Sequence, residues 1–133
     1  MTLIWLLNYN SDVASDREQT QRRRRQLCER LRVLSLEPLM RGSLVERVRR
    51  CGRPNCACAS DPNRRHAGKF LTVQLAGRSH AVHVRAQDEA RVRAAIDAYA
   101  ELWDVVNGLT ACELSDLKRE ARERRRLRRR LRS

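Results

Sequence analysis

The sequence predicts an α+β fold: a small antiparallel sheet, built from a β-hairpin and one further strand, flanked by an N-terminal helix and two C-terminal helices. Three observations carry this. Apolar residues alternate with period two on either side of Ala76-Gly77-Arg78-Ser79, the signature of paired strands with one face buried. Between Val92 and Val106 they recur at three and four, as on one face of a helix. Ahead of both, Cys51, Cys56 and Cys58 sit in a stretch punctuated by Gly52, Pro54, Asn55, Pro62 and Asn63, which reads as a loop.

In chain order, Leu3-Ile4-Trp5-Leu6-Leu7 is too short for a membrane span and lacks the basic flank of a signal peptide, so it reads as a short strand or an apolar plug. Ser15-Asp16-Arg17-Glu18 has capping-box spacing and predicts a helix over 16–36 with the stripe Leu27, Leu31 and Leu34, ended by Pro38. Arg41-Gly42-Ser43 then turns the chain into a strand over 44–50. The hairpin strands are Phe70 to Leu75 and His80 to Val84. A type II′ turn at Gly77-Arg78 would pair Val73 with Val82, Leu71 with Val84 and Thr72 with His83. Gln87 to Asn107 is a helix whose apolar face is Val92, Ala95, Ile96, Tyr99, Leu102, Trp103 and Val106. Gly108 fits the position just past its end, and Thr110-Ala111-Cys112-Glu113 is a second capping box that starts another helix. That last helix is too charged to be held by a core of its own, so its final turns are expected to fray without a partner. The division is residues 1–40 (N-terminal segment and helix), 41–108 (cysteine loop, hairpin and amphipathic helix) and 109–133 (basic helix).

Charge is distributed unevenly. The 133 residues carry 29 Lys or Arg against 16 Asp or Glu, a formal net charge of +13, and all but Lys69 and Lys118 of the basic residues are arginine. Residues 41–69 hold +6 and residues 118–133 hold +8, whereas 1–40 hold +2 and 70–117 hold −3. Two basic blocks beside a slightly acidic body suit a partner that is a polyanion. No nucleotide-binding loop, nucleophile elbow or carboxylate pair is present, and the sequence is not read as an enzyme.

The five cysteines, an odd number without an export signal, argue for a reducing cytoplasm and against a disulfide scaffold. Three thiols in a turn-rich polar loop are then best explained by metal: a structural zinc site takes four Cys or His ligands in a tetrahedron, and the spacing C-x4-C-x-C supplies three. Small buried residues or redox thiols are the alternative. For the fourth ligand, His66 in the same loop stands ahead of His80 and His83. Asp61 before Pro62 is a turn former, while Cys28 and Cys112 read as packed thiols. The sheet is thus expected to be zinc-stabilised, and a closed Cys3His set leaves no coordination position for catalysis.

The run from Arg41 to Ala59, RGSLVERVRRCGRPNCACA, resembles a family of short, uncharacterised bacterial proteins that carry an RGSLVER segment, a CG-P-NC-C cluster, a following His, a β-hairpin and a helical tail. The resemblance extends over roughly residues 20–110. It implies zinc ligation by Cys51, Cys56, Cys58 and His66. Because such proteins are commonly met near mobile-element genes, it also suggests an accessory role in transposition or recombination. The chain departs from that pattern at Ala67-Gly68-Lys69-Phe70, where the family tends to a Gly-Pro-aromatic run, and in its arginine-dense C-terminus.

The expected function is therefore nucleic-acid binding, to DNA rather than RNA, by Arg41, Arg47, Arg49, Arg50, Arg53, Arg64, Arg65 and Lys69 around the zinc loop. A second arm, Arg119 to Arg132 and chiefly Arg124, Arg125, Arg126, Arg128, Arg129 and Arg130, would track the backbone. Phe70 and Tyr9 are the only candidate stacking platforms. The alternative is a protein-interaction subunit that uses its apolar helical stripes to pair with a second copy or to dock on a transposase or recombinase. No membrane partner is expected.

Overall fold

The computed structural model of the chain describes the backbone of residues 2–133 and the side chains of residues 14–133. Two helices, α1 (Thr2–Leu34) and α2 (Glu89–Arg132), bracket three strands, β1 (Ser43–Arg49), β2 (His66–Leu75) and β3 (Arg78–Val84). The fold is α+β with one antiparallel sheet, as expected, but the C-terminal region is one long helix rather than two. Two compact units are present, residues 1–36 with 102–133, and residues 37–101.

In the unit 37–101 the sheet order is β1-β2-β3, with β2 in the centre. Gly42 admits the chain to the sheet: a Cβ there would lie 2.9 Å from the Thr72 carbonyl oxygen and 2.9 Å from a Val73 methyl. The hairpin turns one residue earlier than the Gly77-Arg78 expectation. Ala76 and Gly77 both have positive φ, 49° and 74°, as a two-residue type I′ turn requires. Moving the turn by one shifts the pairing by two, so Leu71 lies opposite Val82, Val73 opposite His80 and Phe70 opposite His83. Because the side-chain period is also two, every residue keeps its face. That is why alternation alone could not choose between the two registers.

Phe70 and Val84 are buried in the sheet, and Val92 and Ala95 on the first turns of α2. The Met40 amide donates to the Ala95 carbonyl, and Lys69 on β2 pairs with Glu89 at 2.5 Å. Glu89 also accepts from Arg93 at 2.9 Å. With Lys69 first and Arg93 second, these donors hold the Glu89 carboxyl below its ordinary value.

The other unit is an antiparallel pair of helices. Leu27 faces Gly108, the Cys112 thiol reaches the Thr20 carbonyl at 3.9 Å, and Arg17 pairs with Glu123 at 3.0 Å, so positions on α1 rise as those on α2 fall. The less exposed positions include Thr20, Arg24, Leu27, Leu31 and Leu34 on α1, and Leu102, Val105, Leu109, Cys112, Asp116 and Arg119 on α2. Their alternating steps of four and three are the seam of a coiled coil. α1 does not start at the Ser15 box. Its backbone is already helical from Thr2, including the Leu3–Leu7 stretch expected as a strand or plug, whose side chains lie outside the described residues. Asp16, inside that box, instead lies 3.6 Å from Arg119.

The expected break at Gly108 is likewise absent. A Cβ at Gly108 would lie 2.9 Å from a Leu27 methyl, so the glycine serves close helix contact. The Thr110 hydroxyl donates back to the Val106 carbonyl at 3.0 Å rather than capping a new helix. Since α1 takes the Val105 side of α2, Trp103 and Val106, expected on the buried face, are 58% and 39% exposed. The helix continues to Arg132, held as far as Glu123 by pairs to α1 rather than by a core of its own.

Two outcomes test this packing. Gly108→Leu should destabilise the protein by about 1–3 kcal/mol in thermal melts by overfilling the Leu27 contact. Gly108→Ala should fall within about 1 kcal/mol of the parent, because better helix propensity offsets moving one flexible methyl. The Asp116 carboxyl is held below its ordinary value by hydrogen bonds from Arg24 and then Arg119. Its stabilisation is therefore complete above the ordinary carboxylate value and lost as pH falls through the lowered one. Melting temperature should drop on acidification below about pH 4, with a shallower dependence in Asp116→Asn.

Candidate metal centre

Cys51, Cys56, Cys58 and His66 come together at one end of the sheet. β1 and β2 stay paired to their last residues, with Arg49 opposite His66, so the chain that leaves β1 re-enters the sheet beside its exit. Gly52, at φ +83°, reverses the chain just after Cys51. The Cys56 amide then donates to the Arg53 carbonyl at 3.2 Å, and a 3-10 turn over Ala57–Ala59 carries Cys58 inward. Asp61 closes the segment as a turn former: its carboxylate accepts from the Asn63 amide at 2.9 Å, with Pro62 opening a second 3-10 turn.

The three Sγ atoms and one imidazole nitrogen all lie within 4.8 Å of one another. The shortest separations are 3.2 Å from Cys56 Sγ to His66 Nε2 and 3.4 Å between the Sγ atoms of Cys58 and Cys51. Edges of a tetrahedron with metal–ligand bonds of about 2.0–2.3 Å run to roughly 3.3–3.8 Å, so a small contraction of the widest separations completes the geometry. The four residues could hold a metal ion, and all four positions would be filled by protein atoms. The Cys51 amide also donates to Cys58 Sγ at 3.3 Å, which favours a thiolate there. Neither His80 nor His83 joins the cluster. The His83 ring packs edge-on to Phe70 at 5.2 Å and lies within 3.4 Å of a Cβ placed on Gly68.

The thiols are electrostatically unequal. Cys51 is pushed down, first by the Arg53 backbone N–H and then by Cys58 as a hydrogen-bond donor, with the Arg53 charge adding to both. Cys58 accepts the Cys51 N–H, which alone would lower it. Burial and the neighbouring Cys51 and Cys56 outweigh that bond and push it up. Cys58 is 1% exposed, whereas Cys51 and His66 face solvent. An open cleft of about 610 Å³ lies over that side, lined by Cys51, Arg53, Asn55, Cys56 and His66.

The basic residues expected around this loop divide into two sets. Arg47, Arg50, Arg53 and Arg65 are exposed and make no ion pair among the described residues. The rest have internal partners. Arg41 donates to the Gln74 carbonyl at 2.6 Å, Arg64 lies 3.6 Å from Asp61, and Lys69 is paired with Glu89. The Arg49 guanidinium lies over the Phe70 ring, 4.4 Å from its centroid. Phe70 is only 4% exposed and offers no face to a base, while the Tyr9 side chain lies outside the described residues.

On the second arm, Arg119 is withdrawn. It is 9% exposed and pairs with Asp116 and Asp16 in the helical seam. Arg124 reaches Glu120 at 3.6 Å and Arg126 has an internal contact, while Arg125, Arg128, Arg129 and Arg130 are exposed. Sequence reasoning missed the polar part of the seam, Arg24, Asp116 and Arg119. The signal was present, since these fall on the four-three spacing that continues the leucine stripe.

If the cluster holds metal, the purified chain should carry one equivalent. A strong chelator should remove it with loss of the sheet signal in circular dichroism. Cys56→Ser should lose both metal and sheet, whereas His80→Ala and His83→Ala should keep the full equivalent. Metal lost from His83→Ala and retained in His66→Ala would move the site.

No curated protein and no solved structure matches the chain. A family model, described as a domain of unknown function (DUF6788), matches residues 17–94. The match takes in most of α1, the whole sheet with its cysteine loop and the first turns of α2, and it stops short of the arginine-rich end. With more than half its length matched, the chain belongs to this uncharacterised domain family.

Proposed function

We propose that this chain is a zinc-binding, nucleic-acid-binding accessory protein whose defined contact surface is the cysteine loop. The observation that carries the reading is the position of Arg47, Arg50, Arg53 and Arg65. All four are exposed and without an acidic partner among the described residues, and they sit on β1, on the loop, or immediately before His66. Zinc is the cation that a Cys3His set takes in structural sites, and its binding in small domains is worth about 10–16 kcal/mol. That is comparable to the whole stability of a domain this size, about 5–15 kcal/mol. Four arginines fixed by such a site keep their charge in any surroundings and present planar forks that match phosphate oxygens.

The arm from Arg124 to Arg130 adds phosphate contacts of a less directed kind. DNA is favoured over RNA as the polyanion. A place in transposition or recombination beside a larger recombinase rests on the resemblance of the RGSLVER and CG-P-NC-C segments.

A salt titration tests the reading. If about six phosphates are engaged, the slope of log K against log salt for duplex DNA should be near −5. Replacing the four loop arginines by Gln should reduce its magnitude by about three to four while zinc content stays at one equivalent. Truncation after Glu123 should weaken binding and leave zinc and fold unchanged, because it spares Arg119 and the Arg17–Glu123 pair. A slope near zero for DNA and RNA alike would sink the proposal.

A further inference from the structure

Once α1 has taken one side of α2, the opposite side carries a second apolar stripe: Trp103, Val106, Thr110, Leu114 and Leu117. Trp103, Leu114 and Leu117 are 58%, 49% and 59% exposed. At 100° per residue these five positions span about 80° of the helix surface, centred nearly opposite the seam through Val105, Cys112 and Arg119. Isolated exposed leucines need no explanation, but a heptad-spaced stripe with a tryptophan at one end does. Its one polar member is already satisfied, because the Thr110 hydroxyl donates to the Val106 carbonyl, so the stripe can be buried dry.

We propose that this face is the interface of a homodimer in which two copies of α2 pair antiparallel about Thr110. The pattern is self-complementary. Trp103 and Leu117 stand equally far from Thr110 in sequence, as do Val106 and Leu114, so a two-fold axis at Thr110 sets Trp103 beside the partner's Leu117 and Val106 beside the partner's Leu114. This is the isologous arrangement that a two-fold dimer requires.

Charge fixes the direction. Along the flank of the stripe run Asp104, Ala111 and Lys118, again seven apart. Asp104 and Lys118 are exposed and have no ion-pair partner among the described residues. Antiparallel pairing about Thr110 brings each Asp104 on this flank to within two residues, about 3 Å along the axis, of the level of the partner's Lys118, with the small Ala111 next to the crossing. Parallel pairing would set Asp104 on Asp104 and align the two strongly basic ends. The four apolar side chains expose roughly 400 Å² per copy, so with their rims two copies bury about 1,000 Å², the low end of specific interfaces. The dimer is accordingly expected to form in the micromolar range. This association is independent of the nucleic-acid reading.

The experiment is sedimentation of the full-length, metal-loaded protein without nucleic acid, across a micromolar concentration series at fixed salt. A mass rising from one chain to two is expected. Trp103→Gln with Leu117→Gln should leave a monomer with an unchanged helical signal. Asp104→Lys should weaken the dimer about tenfold, and adding Lys118→Asp should restore it, which happens only if the two helices run antiparallel. A single-chain mass throughout the series overturns the proposal, as does a dimer that the charge swap fails to restore.

Discussion

The pairing of Arg49 with His66 is the constraint on which the candidate metal loop depends. Because β1 and β2 stay in register to their ends, the sixteen residues between them must leave and return within one strand spacing, and His66 is delivered to the place where Cys51 departs. Such a loop buries almost nothing, since Cys58 is its one buried residue. Loop closure alone costs about 2.5 kcal/mol for that length, and no apolar contact of its own offsets it. What it offers instead is an electrostatic conflict that a bound cation would resolve. Three thiols lie within reach of one another, the exposed one pushed down and the buried one pushed up, so full ionisation in an empty cluster is opposed. A divalent cation turns three repelling groups into ligands of one centre.

Internal contacts absorb part of the net charge. A value of +13 describes a chain, not a surface. Lys69 is spent on Glu89, Arg49 on the Phe70 ring, and Arg24 and Arg119 on the carboxylates of the helical seam. Partly or fully buried ion pairs of the last kind contribute little net stability, because desolvation opposes the Coulomb gain. They do discriminate against other alignments: sliding α1 by one turn would leave Arg119 buried without Asp16 and break the Arg24–Asp116 bond of 2.6 Å. The seam thus takes its strength from Leu27, Leu31, Leu34 and Val105 and its register from its polar members.

Those two roles explain what was legible in the sequence. The three strands, the cysteine cluster and its histidine could be read because each rests on a local pattern: alternation, turn formers, ligand spacing. The hairpin register was not legible, since turns at 76–77 and at 77–78 leave every side chain on the same face. Gly108 was misread because a glycine that ends a helix and one that admits a neighbouring leucine look alike until the neighbour is known. The capping boxes at Ser15 and Thr110 failed for a related reason. They satisfy amides that are free only if the helix starts there, and α1 and α2 pass straight through. Trp103 lies on the exposed side because the apolar face of α2 is two faces, one ending near Tyr99 and another beginning at Leu102, which the sequence presents as one continuous stripe.

On the proposed nucleic-acid reading, the placement of the arginines also bears on which of them would distinguish one site from another. On the last turns of α2, Arg125, Arg128, Arg129 and Arg130 surround the helix axis. Almost any rotation of that helix about a polyanion would bring some of them to phosphate, so contacts there would raise affinity without choosing an orientation. Arg53 stands in the opposite situation. Its backbone is tied to Cys51 and Cys56 on either side, the Cys56 amide holds its carbonyl, and it lines the cleft over the cluster. A side chain whose root is fixed in that way can contact phosphate in few orientations, so any preference for one nucleic-acid shape over another would originate in the loop.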